Sequence, residues 1–405
     1  MISFHTCPLA SKEGKETGGM NVYVLELSKA LAASGLEVDI YTRSQDETNP
    51  HIEEIMPNLR LIHLPAGPKQ TIEKKKLRQY IPEFVESYIS FTTQHNLTYN
   101  IFHCHYYLSG LIGLEINKLS EKKLPVMMTF HTLALMKNLV ARDELEKEEL
   151  ERINAEKLLV KQVDTIFAPS DSDKSYLEYL YQADTTKITV IPPGVDIAFF
   201  KPMDKKEAKQ AIGAHISDKI LLFVGRIEPL KGLDMLMYAL KVLIMKNPDL
   251  SVCLWIVGGD ILQKQELWSH QLKMLQQLKE VLNLSTHVRF VGQKTQDELP
   301  HYYNASEMVI MPSHYESFGM VTLEAMACGV PVITTNVAGV SQLIDKQHAA
   351  LITSVNNPLL LASQIKYLLT NEEAHAQISK DLHERAQGLS WKIIVKKIID
   401  IYESV

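Results

Sequence analysis

Short apolar runs rich in β-branched residues alternate with longer stretches of helical period along almost the whole chain. In the first half the predicted strands are Glu37–Thr42, Asn58–Leu64, Asn100–His105, Pro125–Phe130, Asp164–Ala168 and Lys187–Ile191. Between them lie helical patterns such as Asn21–Ala33, Lys75–Thr93 and Glu144–Lys161. "IPPGVDIAFFKP" (Ile191–Pro202) interrupts the pattern with three prolines, a glycine and no periodicity, as a linker would. The alternation then restarts, with strands predicted at Ile220–Gly225, Ser251–Val257, His287–Val291, Met308–Met311, Val330–Thr334 and Ala349–Ile352. Strands that alternate with helices predict βα units and parallel sheets. The expected fold is therefore α/β: two Rossmann-like domains, 1–195 and 196–387, with a cleft between them. The last helix, around Trp391–Tyr402, carries a stripe of Ile394, Ile398 and Ile401 that must pack on something.

Composition narrows the partners. The 405 residues are 46% apolar and 22% charged, an ordinary globular balance. A net charge of −6 gives no electrostatic case for nucleic acid or an anionic membrane. No apolar run reaches the roughly 20 residues of a membrane helix, so no integral membrane contact is expected. Cys7, Cys104, Cys253 and Cys328 are scattered without paired spacing, as in a reduced, cytoplasmic protein.

In open parallel sheets ligands sit beyond the carboxyl ends of strands, where loops enter helix N-termini. Candidate residues fall at those places. In "ETGGMNVYV", Gly18 and Gly19 directly precede an amphipathic helix, where backbone N–H groups and the helix dipole favour a phosphate; a plain glycine-bearing loop is the other reading. His103, Cys104 and His105 suggest a metal, but alternation along a strand turns Cys104 away from the two histidines, so none is expected. His131 stands at the exit of an apolar strand, placed to meet a ligand hydroxyl or to serve as a core histidine. In "FVGRIEPLKGLD", Arg226 and Lys231 follow a strand and suit a diphosphate leaving group. "SDSD" (Ser170–Asp173) reads as a helix N-cap rather than a metal-binding pair.

"SHYESFGMVTLEAMACGVPVITT" completes the set. A helix starting near Phe318–Gly319 would present free N–H groups to an anion. Glu324, a turn and a half further in, could accept hydrogen bonds from a ribose diol, and Glu316, in the entry loop, could reach a sugar beyond the phosphates.

Glu316 and Glu324 at this spacing, together with Gly225–Arg226 and Lys231, resemble the retaining GT-B glycosyltransferases of family 4, and the likeness spans nearly the whole chain. "HTCPLASKEGKETGGMNVYV", "HCHYYLSG", "HTLALMKN" and "AGPKQTIEKKKLRQYIPEFV" are similar to the sucrose-phosphate synthase and mycothiol glycosyltransferase branch. The resemblance implies a nucleotide-diphosphate sugar as donor, a UDP-sugar first among them, and a phosphorylated sugar or polyol as acceptor. It implies no further cofactor and no metal. Catalytic roles would fall to His131, Arg226, Lys231 and Glu316. Gly18 and Gly19 would lie by the diphosphate, Asn21 near the acceptor, and Phe318, Gly319 and Met320 would offer backbone N–H groups. Glu324 would hold the ribose. Lys74, Tyr106, Thr132, Lys137 and Arg152 would grip the acceptor phosphate, three converging cations that would need a dianion between them. The last helix, 388–405, would cross back onto the first domain, and a homodimer is one expected assembly. Only "MISF" precedes His5, which predicts a stunted first strand or an authentic start several codons upstream. The alternatives are a transferase with a lipid or glycan acceptor, for which "IEKKKLR" is the one membrane-facing candidate, a nucleotide-sugar epimerase or hydrolase, and a non-catalytic nucleotide-sugar sensor.

Overall fold

The computed structural model describes residues 1–9, 18–344 and 351–405. Glu16 and Thr17 of the glycine loop, and the first two residues of the strand expected at Ala349–Ile352, lie outside the described residues. The chain divides into two units, one formed by Met1–Gly194 with Trp391–Val405 and the other by Val195–Ser390.

The first unit contains β1 (Val38–Arg43), β2 (Ile52–Met56), β3 (Leu59–Leu64), β4 (Phe102–His105), β5 (Val126–Thr129), β6 (Thr165–Ala168) and β7 (Ile188–Val190). They form two runs, β1-β3-β2 and β4-β5-β6-β7, parallel throughout except for β2 against β3. The N-terminal residues join the runs. Ile2 bridges in parallel to Tyr41 on one side and Cys104 on the other, with its N–H donating to His103 and its carbonyl accepting from His105. The stunted first strand is thus a single bridged residue, and it still fills the middle of the sheet.

Two sequence expectations change. The helix expected at Lys75–Thr93 is a 3₁₀ segment, Lys74–Tyr80, followed by an α-helix, Ile81–Gln94. Pro82 explains the break, because proline has no N–H and suits a helix start. β2 was not expected: "IEEIM" is half exposed with no clean alternation, and only its antiparallel pairing with β3 defines it.

In the second unit β8 (Ile220–Val224), β9 (Cys253–Val257), β10 (Val288–Gly292), β11 (Met308–Met311), β12 (Val332–Thr335) and β13 (Ile352–Thr353) form one parallel sheet, ordered β10-β9-β8-β11-β12-β13. β8 and β11 are buried at every position, the near-continuous apolar run of strands covered on both faces. The order reverses between β8 and β11, so their loops leave side by side.

The terminal helix Trp391–Glu403 belongs to the first unit and packs on the helix Gly19–Ala33. Ile394 and Ile398 are fully buried there, each contributing roughly 1.5–3 kcal/mol, while Ile401 is half-buried. Among the described residues no helix is long and apolar enough to cross a membrane.

Candidate active site

Side-chain geometry in the second unit begins at the reversal between β8 and β11. Arg226 follows β8 and pairs with Glu228 at 2.7 Å, both half-exposed. Lys231 ends the 3₁₀ turn Pro229–Lys231, and Gly232 after it takes φ 64°. A Cβ at Gly232 would lie 2.1 Å from the Pro312 carbonyl oxygen, so the close approach of this turn to the loop after β11 requires glycine. His314 N–H donates to the Leu230 carbonyl at 2.8 Å and pins the two loops together. That pinning brings Lys231 Nζ to 2.5 Å from Glu316 Oε2. Burial disfavours the charge on Glu316, but the Lys231 ammonium and its hydrogen bond, the Gly319 N–H and Arg226 outweigh it and hold the carboxyl below its ordinary value.

The helix starts at Met320, capped by Gly319 at φ 62°. Phe318 and Met320 are buried. Glu324 is only 3% exposed, inside that helix. Its Oε1 accepts from Gln296 Nε2 at 2.9 Å and its Oε2 from the Tyr303 hydroxyl at 2.5 Å. The structure therefore brings Arg226, Lys231, Glu316, Phe318, Gly319, Met320 and Glu324 to one sheet edge.

The first unit assembles a second group at the ends of β4 and β5. Tyr106 and His131 there adopt φ 74° and φ 62°, a region that non-glycine residues occupy only when their surroundings hold them. Arg152, on the helix Leu150–Gln162, lies 4.8 Å over the Tyr106 ring and donates to the Thr132 carbonyl at 2.9 Å and hydroxyl at 3.0 Å. Lys74 Nζ stands 5.3 Å over the same ring. Lys137 reaches the group through Glu148 Oε1, which also takes Arg152 at 2.9 Å. Lys74, Tyr106, Thr132, Lys137 and Arg152, spread over about 80 positions, thus meet.

Lys137 and Arg152 already have carboxylate partners, and for these two the expectation of cations awaiting a dianion is corrected. Glu148 neutralises Lys137 and Arg152, and Glu156 takes Arg152 Nε at 2.8 Å. Burial works against the Glu148 charge, but Arg152 and Lys137 hold its carboxyl below the usual value. Neither glutamate was singled out in the sequence. A signal was present: Arg152 and Glu156 stand an i, i+4 step apart on one helix face, and Glu148 stands four residues before Arg152, just ahead of the helix. Nearby, Lys75 pairs with Glu149, Lys76 with Glu73 and Arg78 with Glu151 at the surface.

Gly18 caps the helix Gly19–Ala33 and Gly19 opens it, exposed. The Asn21 side chain turns to the N-terminal loop instead, donating to the Thr6 hydroxyl at 2.9 Å and the Cys7 carbonyl at 3.0 Å. His131 Nε2 lies 3.0 Å from His105 Nδ1, and His105 stacks on His103 with ring centroids 4.3 Å apart. His103 meets the Tyr402 hydroxyl of the terminal helix at 2.6 Å. Cys104 lies on the opposite face, where its Sγ would be 2.7 Å from a Cβ on Gly113. Ser170 caps its helix by accepting from the Asp173 N–H.

Burial lowers the basicity of all three imidazoles, that of His131 to about 3. Protons that these rings accept in the unfolded chain near pH 6.5 are refused in the folded one, so stability is full above that pH and falls below it. We expect the first unit to lose roughly 2 kcal/mol from His131 alone between pH 7 and pH 5, above the range in which the carboxylates titrate. Urea midpoints that stay constant over this interval would rule the effect out.

The description Glycosyltransferase Family 4 matches residues 17–199 and Glycosyl transferases group 1 matches residues 204–385. The chain is 31% identical over 405 residues to the D-inositol 3-phosphate glycosyltransferase of Corynebacterium efficiens, covering 99% of this chain and 94% of the relative. With that of Corynebacterium urealyticum it shares 32% over 408 residues, covering 100% and 95%. Among solved structures, sucrose-phosphate synthase from Thermosynechococcus elongatus is similar with a TM-score of 0.88 at 29% identity, over 100% of this chain and 97% of the other. Anabaena HepE, solved in complex with UDP and glucose, is similar with a TM-score of 0.75 over 100% and 99%; at 18% identity that likeness speaks to fold.

Proposed function

We propose, from the premise that this chain belongs to the family 4 glycosyltransferases of the GT-B fold, that it transfers a hexosyl group with retention from a UDP-sugar to a phosphorylated sugar or polyol. The observation that carries the acceptor half is the meeting of Lys74, Lys137 and Arg152 around Tyr106 and Thr132. Forked Arg and Lys donors on one point suit the several acceptor oxygens of a phosphate. The printed names of the relatives, D-inositol 3-phosphate glycosyltransferase and sucrose-phosphate synthase, point to the same acceptor chemistry. The pairs of Lys75, Lys76 and Arg78 with glutamates neutralise the charge run on which a lipid acceptor would depend.

The chemistry assigned to these residues is electrostatic. The bond from the anomeric carbon to the diphosphate oxygen breaks, and the acceptor hydroxyl oxygen bonds to the same face of that carbon. The hydroxyl proton passes to the leaving diphosphate. Arg226, Lys231 and the Met320 N–H at the helix start would stabilise the charge that grows on the leaving group, while the Gly319 N–H holds Glu316, which would orient the sugar. His131, neutral at physiological pH, would exchange hydrogen bonds with a sugar hydroxyl without adding charge. The test is a nucleoside-diphosphate release assay that crosses UDP-, GDP- and ADP-sugars with phosphorylated and unphosphorylated acceptors. Release stimulated equally by unphosphorylated sugars would overturn the acceptor assignment.

Glu324 would bind the ribose diol while Gln296 and Tyr303 fix its carboxylate. Replacing Glu324 by Ala is expected to weaken nucleoside-diphosphate binding by roughly 1.5–3 kcal/mol, as for lost hydrogen bonds to a charged group. Titration calorimetry that finds the affinity unchanged would remove Glu324 from the site.

A further inference from the structure

Arg152 is bound by two carboxylates of different character. Glu156 is fully buried and is held from several sides, by Arg152 Nε at 2.8 Å, by the Ala134 N–H at 2.9 Å and by the Tyr181 hydroxyl. It is part of the packing of its helix. Glu148 precedes that helix, its side chain is 18% exposed, and its Oε1 takes Lys137 and Arg152 together. The backbone of Glu148 is fixed independently of its carboxylate: its N–H donates to Asn138 Oδ1 at 2.7 Å, and its carbonyl accepts from Asn138 Nδ2 at 3.3 Å. The carboxylate can therefore move, or be removed, without releasing the segment that carries it.

We propose that Glu148 is an exchangeable counter-ion, its carboxylate competing with an incoming phosphate for the same donors of Lys137 and Arg152. This deepens the phosphorylated-acceptor reading and rests on it. Two like-charged groups cannot share these donors at contact distance without strong repulsion, so phosphate binding requires the carboxylate to turn out toward solvent. A dianion with several oxygens can replace the carboxylate; a neutral sugar hydroxyl cannot. Glu148 would then act as a specificity-determining residue, holding the cations neutralised against uncharged acceptors at the expense of affinity for charged ones. Arg152 keeps Glu156 and Thr132 throughout, which holds the guanidinium in place during the exchange.

The predicted sign is unusual: removing a side chain from the pocket should tighten binding. Inorganic phosphate is the probe, titrated into the full-length protein by calorimetry at low ionic strength. Glu148→Gln keeps the shape and a hydrogen-bond acceptor but not the charge, and should bind phosphate roughly tenfold tighter than the parent. Its affinity for UDP should not change. Glu156→Gln should lower the thermal midpoint without tightening phosphate. Unchanged or weaker phosphate binding in Glu148→Gln, with the parent binding measurably, would show that Glu148 only arranges the cations, and would sink the exchange while sparing the phosphate pocket. Equal tightening for UDP, or in Glu156→Gln, would reduce the effect to net charge and overturn it as well. Phosphate binding by Glu148→Gln that is absent, or that is unaffected when Lys74→Ala is added, would overturn the phosphate pocket itself, and the exchange with it.

Discussion

Lys231→Ala is expected to lower turnover by roughly 10²–10³-fold, the range found when one preorganised donor to a developing anion is removed. The effect on turnover should exceed that on donor affinity, because the charge on the leaving diphosphate increases toward the transition state. Lys231 also offsets Glu316 at 2.5 Å, and both side chains are largely buried. Removal of the ammonium alone would leave a buried carboxylate facing the diphosphate, which adds a loss of ground-state binding. Adding Glu316→Gln to Lys231→Ala should therefore restore part of the nucleoside-diphosphate affinity and little of the turnover. Calorimetry and steady-state rates measured on both variants separate the two contributions. Parallel losses of affinity and turnover, neither relieved in the double variant, would count against a leaving-group role for Lys231.

Lys74→Ala should raise the KM for a phosphorylated acceptor about tenfold to a hundredfold and leave donor binding untouched, as for loss of a charged hydrogen bond of roughly 1.5–3 kcal/mol. Lys74 is the cleanest of the three cations to remove. It is exposed, at the start of a 3₁₀ segment, and its Nζ stands over the face of the Tyr106 ring. Arg152→Ala is less informative, since it strands Glu156 and half of the Glu148 pairing in the interior, a change that typically costs about 3–5 kcal/mol of stability. Lys137→Ala should resemble Lys74→Ala with a smaller rise, because Glu148 already shares that ammonium. An acceptor KM unchanged in Lys74→Ala would move the phosphate contact elsewhere.

Much of the architecture is legible in the sequence because its determinants are local. A parallel strand covered on both faces must be apolar throughout, and "ILLFV" or "MVIM" says so without reference to any neighbour. The same locality places Arg226 and Glu316 just after strands, and puts Glu324 inside an apolar helix whose start is marked by Phe318–Gly319. The spacing of Glu316 and Glu324 identified the family, and the match over both halves of the chain agrees with it. Pro82 marks the break before Ile81–Gln94 in the sequence too, but the helical period on either side of it reads as continuous.

What only the tertiary structure decided is how charges and strands pair across long separations. Ile2 becomes a strand by lying between Tyr41 and Cys104, and "IEEIM" becomes one by meeting β3; neither has a periodicity of its own. Gln296 and Tyr303 reach Glu324 from 28 and 21 residues away, and Arg152 reaches Thr132 from 20. The sequence could place a cation at a strand's end, but not say whether a carboxylate or a ligand would neutralise it. Local pattern is set by which face of an element is buried. The state of an ionisable group is set by which other groups packing brings within a few ångströms, and packing alone brought Glu148 and Glu156 onto Lys137 and Arg152.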